Sequence, residues 1–397
     1  MNASPVMLAF CLGTVGMLAA SPVHAEKARD FAAEAVLFYR MVACAEGQSV
    51  GGTGRSGMDA TSVEMHCRDQ VREIEKFRAR FVRKALPFFA AHRPVMLPRH
   101  VFYPFGGGDL ISALVTYPDA TEITTVSLEH AGDPRRLARL TGEPLRDHLA
   151  AYRVAVLGLL RNHDSASAAL RTLERGPIPG QLSFFIQALA IMEYEPISLR
   201  FFRIEPDGSL RYYTRSEIAA LETKKARRKA MSWVDTDYSV AFSNMELRFR
   251  RRGAGAGKPV KIHRHIAANL NNDRFPDSPL HKHLLAKGKV AAMTKAASYL
   301  LWTAYFSKLR DYLLANMVFM ISDSTGIPPL HADKAGFEQI TFGRFTGSFL
   351  EASELHNQAF RELWESQPNR VLRFRYGYWD AQKYFHLVIT RRRGSGT

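Results

Sequence analysis

Cysteine is scarce in this chain. There are three in 397 residues, one of them (Cys11) inside an N-terminal apolar run, which leaves Cys44 and Cys67. That excludes a disulfide-dense scaffold and a cysteine-based zinc finger. Long apolar runs are missing beyond residue 20, so no later stretch has the length needed to span a bilayer. Carboxylates are few against bases, 38 Asp and Glu against 54 Lys and Arg, for a net charge of +16. Such a balance favours anionic partners. Also absent are a G-x-S-x-G elbow, an H-E-x-x-H pair, a Walker loop, a C-x-x-C motif and any internal repeat. No familiar hydrolase, zinc protease, nucleotide-triphosphatase or thiol-redox signature is therefore available. What remains is ordinary globular composition, 46% hydrophobic and 23% charged.

Residues 1–25 carry no charged side chain. The apolar run Val6–Ala20 is followed by Ser21-Pro22 and the small-residue pattern Val23-His24-Ala25. This predicts a signal peptide cleaved after Ala25 and a soluble periplasmic or secreted protein; the competing reading is a buried N-terminal helix. Cys11 has no small residue before it, which argues against a lipid anchor. In an oxidising compartment Cys44 and Cys67 read as one disulfide, contributing about 3 kcal/mol by loop closure. A metal site or reactive thiol would need a neighbouring ligand pattern, and none stands out.

Three segments are expected: residues 1–25 as signal peptide, 26–94 as a helical hairpin, and 95–397 as an α/β domain with helical and β-hairpin insertions. In the hairpin, Phe31, Ala35, Phe38 and Val42 share one helical face, and Cys67, Val71, Ile74, Arg78, Phe81 and Ala85 share another. Pro87 should end or kink the second helix. A helix opening at Glu143-Pro144 carries Leu145, Leu149, Tyr152, Val156 and Leu160 on one face. Leu182–Tyr194 is read as helix. Ile197–Ile204 and Leu210–Thr214 flank a Pro-Asp-Gly turn and read as a hairpin. Ser216–Ser232 reads as a basic helix, Val240–Arg252 and Lys258–Ile266 as strands, and Ala291–Asn316 as helix. Val318–Ile321 and Phe337–Phe345 read as strands, and Val371–Tyr378 with Tyr384–Thr390 as a closing hairpin. Early strand–helix alternation and late hairpins predict a mixed α/β fold with a Rossmann- or methyltransferase-like sheet.

The sharpest local signal is Arg99–Gly132. An apolar run, Val101–Phe105, leads into Gly106, Gly107 and Gly108, a helix starting at Asp109, and a second apolar run ending at Glu129. Glu129 lies 21 residues beyond Gly108, where a ribose-binding carboxylate would sit in a dinucleotide or class I methyltransferase fold. The arrangement is similar to the first βαβ unit of such methyltransferases. It departs from them in having Tyr103-Pro104-Phe105 where an acidic residue would precede the glycines. Asp109 suits a helix cap better than a phosphate site. The alternatives are a cofactor loop and a tight turn with Glu129 on the surface; no cofactor is expected.

A second constellation spans Lys295–Pro328, with Ser298, Tyr299, Ser307, Lys308, Arg310 and Asp311 around an apolar helix and a terminal Asp323-Ser324-Thr325-Gly326 loop. Asp323 and Ser324 there form either a ligand edge or an Asx turn. His263 and His265 would share a strand face, but the reading is surface histidines and no metal. The pair His281 and His283 opens a helix, where such spacing diverges. Arg248, Arg250 and Arg252 share a strand face opposite Leu247 and Phe249, and Lys224–Lys229 and Arg391-Arg392-Arg393 add basic runs. No RNA-binding aromatic motif or helix-turn-helix accompanies them, so nucleic acid is not the expected partner.

Taken together, Tyr103-Pro104-Phe105, Asp109, Tyr117-Pro118-Asp119-Ala120, Leu128-Glu129, Lys295–Leu300, Phe306-Ser307 with Arg310, Asp323–Pro328, Phe342-Gly343 and Tyr376-Gly377-Tyr378 resemble a group of exported bacterial proteins without an assigned activity. The chain departs from that group at Ser322, where the group tends to carry a second Asp. The resemblance implies a coherent fold and no chemistry. The expectation is therefore a binding or accessory protein for an anionic envelope component or membrane surface. The alternative is a transferase-type enzyme with a cleft at Gly106–Asp109, Glu129 and Asp323.

Overall fold

The computed structural model describes residues 26–45, 57–162, 173, 178–223, 239–255, 257–323, 326–347, 354–377 and 384–394. The segment 1–25, most of Gln48–Met58, Lys224–Lys229, Ser324, Thr325 and Tyr378 lie outside the described residues. The protein is a mixed α/β fold built on one ten-stranded sheet.

Five strands at the centre run parallel: β1 (His100–Pro104), β2 (Glu122–Ser127), β6 (Lys261–Ala267), β7 (Val290–Thr294) and β8 (Met317–Ser322). In space they lie in the order β6-β2-β1-β7-β8. Antiparallel wings extend both edges. On one side β5 (Asn244–Arg251) pairs with β6, and β3 (Tyr194–Ile204) and β4 (Leu210–Tyr212) continue the sheet. On the other side β10 (His386–Arg392) pairs with β8 and with β9 (Phe337–Gly343).

Both faces of the centre are apolar because consecutive strand residues point to opposite sides. Val101 and Tyr103 enter one core with Ala291 and Met293, while Phe102 enters the other with Val290 and Ala292. The first core is covered by α1 (Ala32–Met41), α2 (Gly57–Phe77), α3 (Arg83–His92), α4 (Leu110–Thr116), α5 (Gly142–Asn162) and α6 (Gly180–Ile191). After α7 (Arg215–Thr223), the second is covered by α8 (Pro279–Leu285), α9 (Ser307–Asn316) and α10 (Pro329–Lys334). The helix α11 (Glu354–Glu365) closes a small hydrophobic cluster of Phe345, Phe360 and Val388. Helices α1 to α3 share one continuous core with the sheet.

The sequence-derived faces of α1 and α5 hold: Phe31, Ala35, Phe38, Val42, Leu145, Leu149, Tyr152, Val156 and Leu160 are all buried. So does the β3–β4 hairpin, where Gly208 at positive φ donates to the Glu205 carbonyl at 2.8 Å. Three expectations change. The helix expected over Ala291–Asn316 begins as strand β7, whose five residues are all buried, and only Ser307–Asn316 is α-helix. Alanine-rich Val-Ala-Ala-Met-Thr favours helix in isolation, but a slot between β1 and β8 overrides that preference. The hairpin of Val371–Tyr378 with Tyr384–Thr390 does not form; β10 pairs with β8 and β9 while Phe374 and Tyr376 turn into the first core. Pro87 does not end its helix. A π-turn at Arg78–Val82 precedes it, and α3 continues to His92.

The β9–β10 connection depends on Gly343, at φ +80°, where an added Cβ would lie 1.8 Å from the Phe385 carbonyl oxygen. Gly343→Ala should therefore destabilise the protein by about 2 kcal/mol or more, measured as a lowered denaturant midpoint with unchanged m-value. Wild-type stability in that variant would refute the close approach.

Candidate functional site

In an open parallel sheet, ligands lie beyond the strand C-termini, where neighbouring crossovers leave in opposite directions. Here that point falls between β1 and β7. From β1 the chain crosses to β2 through α4 on the first face; from β7 it crosses to β8 through α9 on the second. The glycine loop follows β1, and Lys295 follows β7.

The loop brings its own partners. Asp109 caps α4, its carboxylate accepting from the Ser112 backbone N–H at 3.3 Å. Lys295 Nζ donates to Asp109 Oδ2 at 2.6 Å and to Ser112 Oγ at 2.8 Å, and the Tyr103 hydroxyl donates to the same Asp109 oxygen at 3.1 Å. Asp109, Lys295 and Tyr103 are at most 3% exposed. Burial, and then the Asp109 charge, pushes the Tyr103 phenol well above its ordinary range, so it stays a donor. An added Cβ on Gly106 would meet the Tyr103 ring at 3.0 Å, and one on Gly108 would meet the Phe184 ring at 2.8 Å. Gly107 takes a left-handed φ of +48°. The glycines thus give close approach to this chain's own aromatic rings.

A second carboxylate adjoins this junction. Asp323, at the end of β8, accepts from the Ala296 N–H at 2.7 Å and from the Ser298 hydroxyl at 2.5 Å. Ala296 stands at φ +65° and ψ −69°, and the Ala297 N–H donates to the Lys295 carbonyl at 2.8 Å. That is a tight γ-turn of the strained hand. Phe105, at the corresponding end of β1, is also left-handed at φ +60°. Two non-glycine residues therefore hold strained backbone at the ends of the two switch-point strands, which is where such strain concentrates when geometry is over-determined. From the C-terminal segment, the Tyr376 ring lies 5.8 Å from Lys295 Nζ, and an added Cβ on Gly377 would fall 2.2 Å from Asp323 Oδ2.

Of the sequence-predicted residues, Gly106, Gly107, Gly108, Asp109, Ser298 and Asp323 come together here. Glu129 does not join them; it lies at the end of β2, 3.4 Å from the Gln181 amide. Arg310 is on the second face, donating to the Leu301 carbonyl at 2.7 Å. Tyr299 is half-exposed beside the cluster in sequence, and Ser324 lies outside the described residues. Lys295, Ser112, Tyr103 and Tyr376 were missed as site members. A lysine directly following a short apolar run was the available signal for the first.

The histidine expectation is corrected. His263 and His265 do share a strand face, but both are fully buried against Phe185, not on the surface. Thr125 Oγ1 lies 2.9 Å from His263 Nε2 and 3.2 Å from His265 Nδ1, and His265 Nε2 lies 2.8 Å from the Glu129 carbonyl. A carbonyl only accepts, so His265 carries its proton on Nε2 and accepts from Thr125 at Nδ1. Thr125 in turn accepts from His263 Nε2. The chain of donors is satisfied with both rings neutral, and burial pushes His263 well below, and His265 to about 4 from, the usual histidine value.

Arg248 and Arg250 do lie opposite Leu247 and Phe249, yet they are not a free cationic face. Arg248 pairs with Glu246 at 2.8 Å and Arg250 with Glu195 at 2.8 Å. Arg252 donates to the Ala45 carbonyl at 2.6 Å. Glu246 is fully buried; burial alone would raise its carboxyl pKa, but Tyr212 and the guanidiniums of Arg248, Arg264 and Arg200 hold it down to about 2. Cys44 and Cys67 form the expected disulfide. No family model, curated protein or solved structure matches this chain.

The junction works as an internal bolt. Lys295→Met leaves the Asp109 carboxylate buried without its cation and should cost about 3–5 kcal/mol. Asp109→Asn with Lys295→Met should cost clearly less than the sum of the two single changes, measured by a denaturant double-mutant cycle; strict additivity would refute a direct pair. The histidines set a pH dependence. Their folded values lie below the unfolded value near 6.5, so their contribution is complete above pH 6.5 and is lost as pH falls toward 4. Unfolding free energy should drop from pH 7 to pH 5, with His265 alone contributing about 2 kcal/mol, and His265→Gln should flatten that slope.

Proposed function

We propose that the protein is exported and docks on an anionic membrane surface of the cell envelope. The docking surface would be the sheet edge formed by the N-terminal ends of the parallel strands, opposite the bolted junction. The observation that carries this reading is convergence of charge. Arg99 precedes β1, Lys261 opens β6, and Lys289 precedes β7. Because β5 and β10 run antiparallel to their parallel neighbours, Arg251 and Arg391–Arg393 end at the same edge.

Of the carboxylates there, Asp119 pairs with Arg93, Glu338 with Arg391, Asp333 with Arg393 and Glu122 with Arg264 and Lys287, while Glu193 is exposed beside Arg252. Arg99, Lys258 and Lys289 are exposed and make no ion pair among the described residues, so net positive charge is left over. Between Arg93 and Arg99, Val95 and Met96 are 90% and 89% exposed. An apolar tip flanked by arginines suits an anionic bilayer, where each basic residue contributes about 1 kcal/mol and the tip enters the headgroup boundary. Among the described residues no helix is long and apolar enough to cross a membrane, so contact would be peripheral. The filling of the glycine loop by Tyr103 and Phe184 counts against the methyltransferase-like alternative, and the resemblance to exported bacterial proteins favours an envelope role.

Co-sedimentation with phosphatidylcholine vesicles, with and without phosphatidylglycerol, tests this. Binding should rise with the anionic fraction and weaken with salt. Val95→Asp with Met96→Asp should reduce affinity at least tenfold while leaving the unfolding midpoint unchanged, since both side chains are exposed. Equal affinity for neutral and anionic vesicles, or unchanged affinity in the variant, would overturn the reading.

A further inference from the structure

The disulfide has a third neighbour that the spacing of the cysteines does not announce. His66, adjacent to Cys67 on α2, brings a ring nitrogen to the two sulfurs, all three ligand atoms lying within 4.8 Å of one another. Cys67 and His66 are fully buried and Cys44 is 3% exposed. The His66 Nε2 contacts the Val42 carbonyl at 3.0 Å. Since a carbonyl only accepts, Nε2 carries the proton and Nδ1 holds a bare lone pair. Nδ1 has no hydrogen-bond partner. A buried polar atom without a partner calls for an explanation. Cys44 also lines a cavity of about 340 Å³ shared with Glu75, Arg78 and Arg252.

We propose that Cys44, His66 and Cys67, with the cysteines reduced, form a binding site for a borderline-soft divalent cation of the zinc type, and that metal and disulfide are alternative closures of the same α1–α2 staple. Two thiolates and one imidazole are a common donor set for zinc, with Zn–S near 2.3 Å and Zn–N near 2.0 Å. In a tetrahedron of that size the sulfurs stand roughly 3.8 Å apart, so the S–S bond must be absent. The balance is simple. A newly made chain carries two thiols; binding one M²⁺ releases their two protons and leaves the histidine neutral. From the disulfide, two equivalents of a small thiol must first supply two electrons and two protons, themselves becoming a disulfide.

The experiment uses the mature chain reduced with a phosphine under argon and titrated with Co²⁺. Thiolate-to-cobalt charge-transfer and tetrahedral d–d bands should saturate at one equivalent and bleach on adding Zn²⁺. Protein with the disulfide intact should show neither. His66→Ala should raise the Co²⁺ dissociation constant at least tenfold. Should that variant fail to fold by circular dichroism, the alkylation rate of Cys44 and Cys67 in reduced wild-type protein decides: at least tenfold slowing by Zn²⁺ supports the site. Absent bands in reduced wild type, an unchanged constant in a folded His66→Ala, or unslowed alkylation would each overturn it.

Discussion

The contact on which this architecture depends is the buried pair between Lys295 and Asp109. Taking both charges out of water costs several kcal/mol per ion before their attraction is counted. Position is what the pair secures. Asp109 caps α4 behind β1, and Lys295 ends β7. Those strands meet nowhere in sequence, and their crossovers leave over opposite faces. Once joined, neither strand can slide without leaving a charge uncompensated in apolar surroundings. Ser112 and Tyr103 take the remaining polar contacts, and Asp323 extends the arrangement to β8 by holding the strained turn at Ala296. Three strand ends are thereby fixed, beside the left-handed residues Phe105 and Ala296.

The glycine loop was legible as a unit of structure, and its meaning was not. Strand, glycines, capped helix and second strand all stand where the pattern Val101–Leu128 places them. Whether three glycines admit a phosphate or an aromatic ring depends on what fills the adjacent space, and the ring that fills it beside Gly108 is Phe184, in a helix 76 residues downstream. Helical faces with clear period, as in α1 and α5, were read from local spacing. The failure at β7 has the opposite cause. A run of Val-Ala-Ala-Met-Thr has no alternation because both its faces are buried, and its alanines favour helix. Without β7 the switch point could not be located, so Lys295 remained one lysine in a presumed helix. His263 and His265 show the same limit: their shared face followed from strand period, but their burial depended on Phe185 and Thr125.

Charge is distributed by the same topology. At the C-terminal ends of β1, β7 and β8, Asp109 and Asp323 are buried and hydrogen-bonded within the protein, and the glycine loop packs on the Tyr103 and Phe184 rings. The N-terminal ends collect cations because the antiparallel wings return there, which brings Arg251 and Arg391–Arg393 beside Arg99 and Lys289 although they are far apart in sequence. Counting basic runs along the chain suggested a cationic strand face at Arg248 and Arg250. Geometry instead neutralises that face through Glu246 and Glu195 and leaves the surplus on the edge.

The staple between α1 and α2 follows from the need to hold a helical hairpin against this sheet. Phe31, Phe38, Phe81 and Phe89 are buried in the same core as Val101 and Tyr103, so the hairpin is part of the first layer. A covalent or metal closure at Cys44 and Cys67 ties the end of α1 to α2. The two closures differ in their surroundings. A disulfide leaves one ring nitrogen of the buried His66 without a partner, whereas a cation would take the imidazole as a ligand beside the two thiolates. Which closure forms is then set by the redox state the chain meets as it folds, and the same residues serve in either compartment.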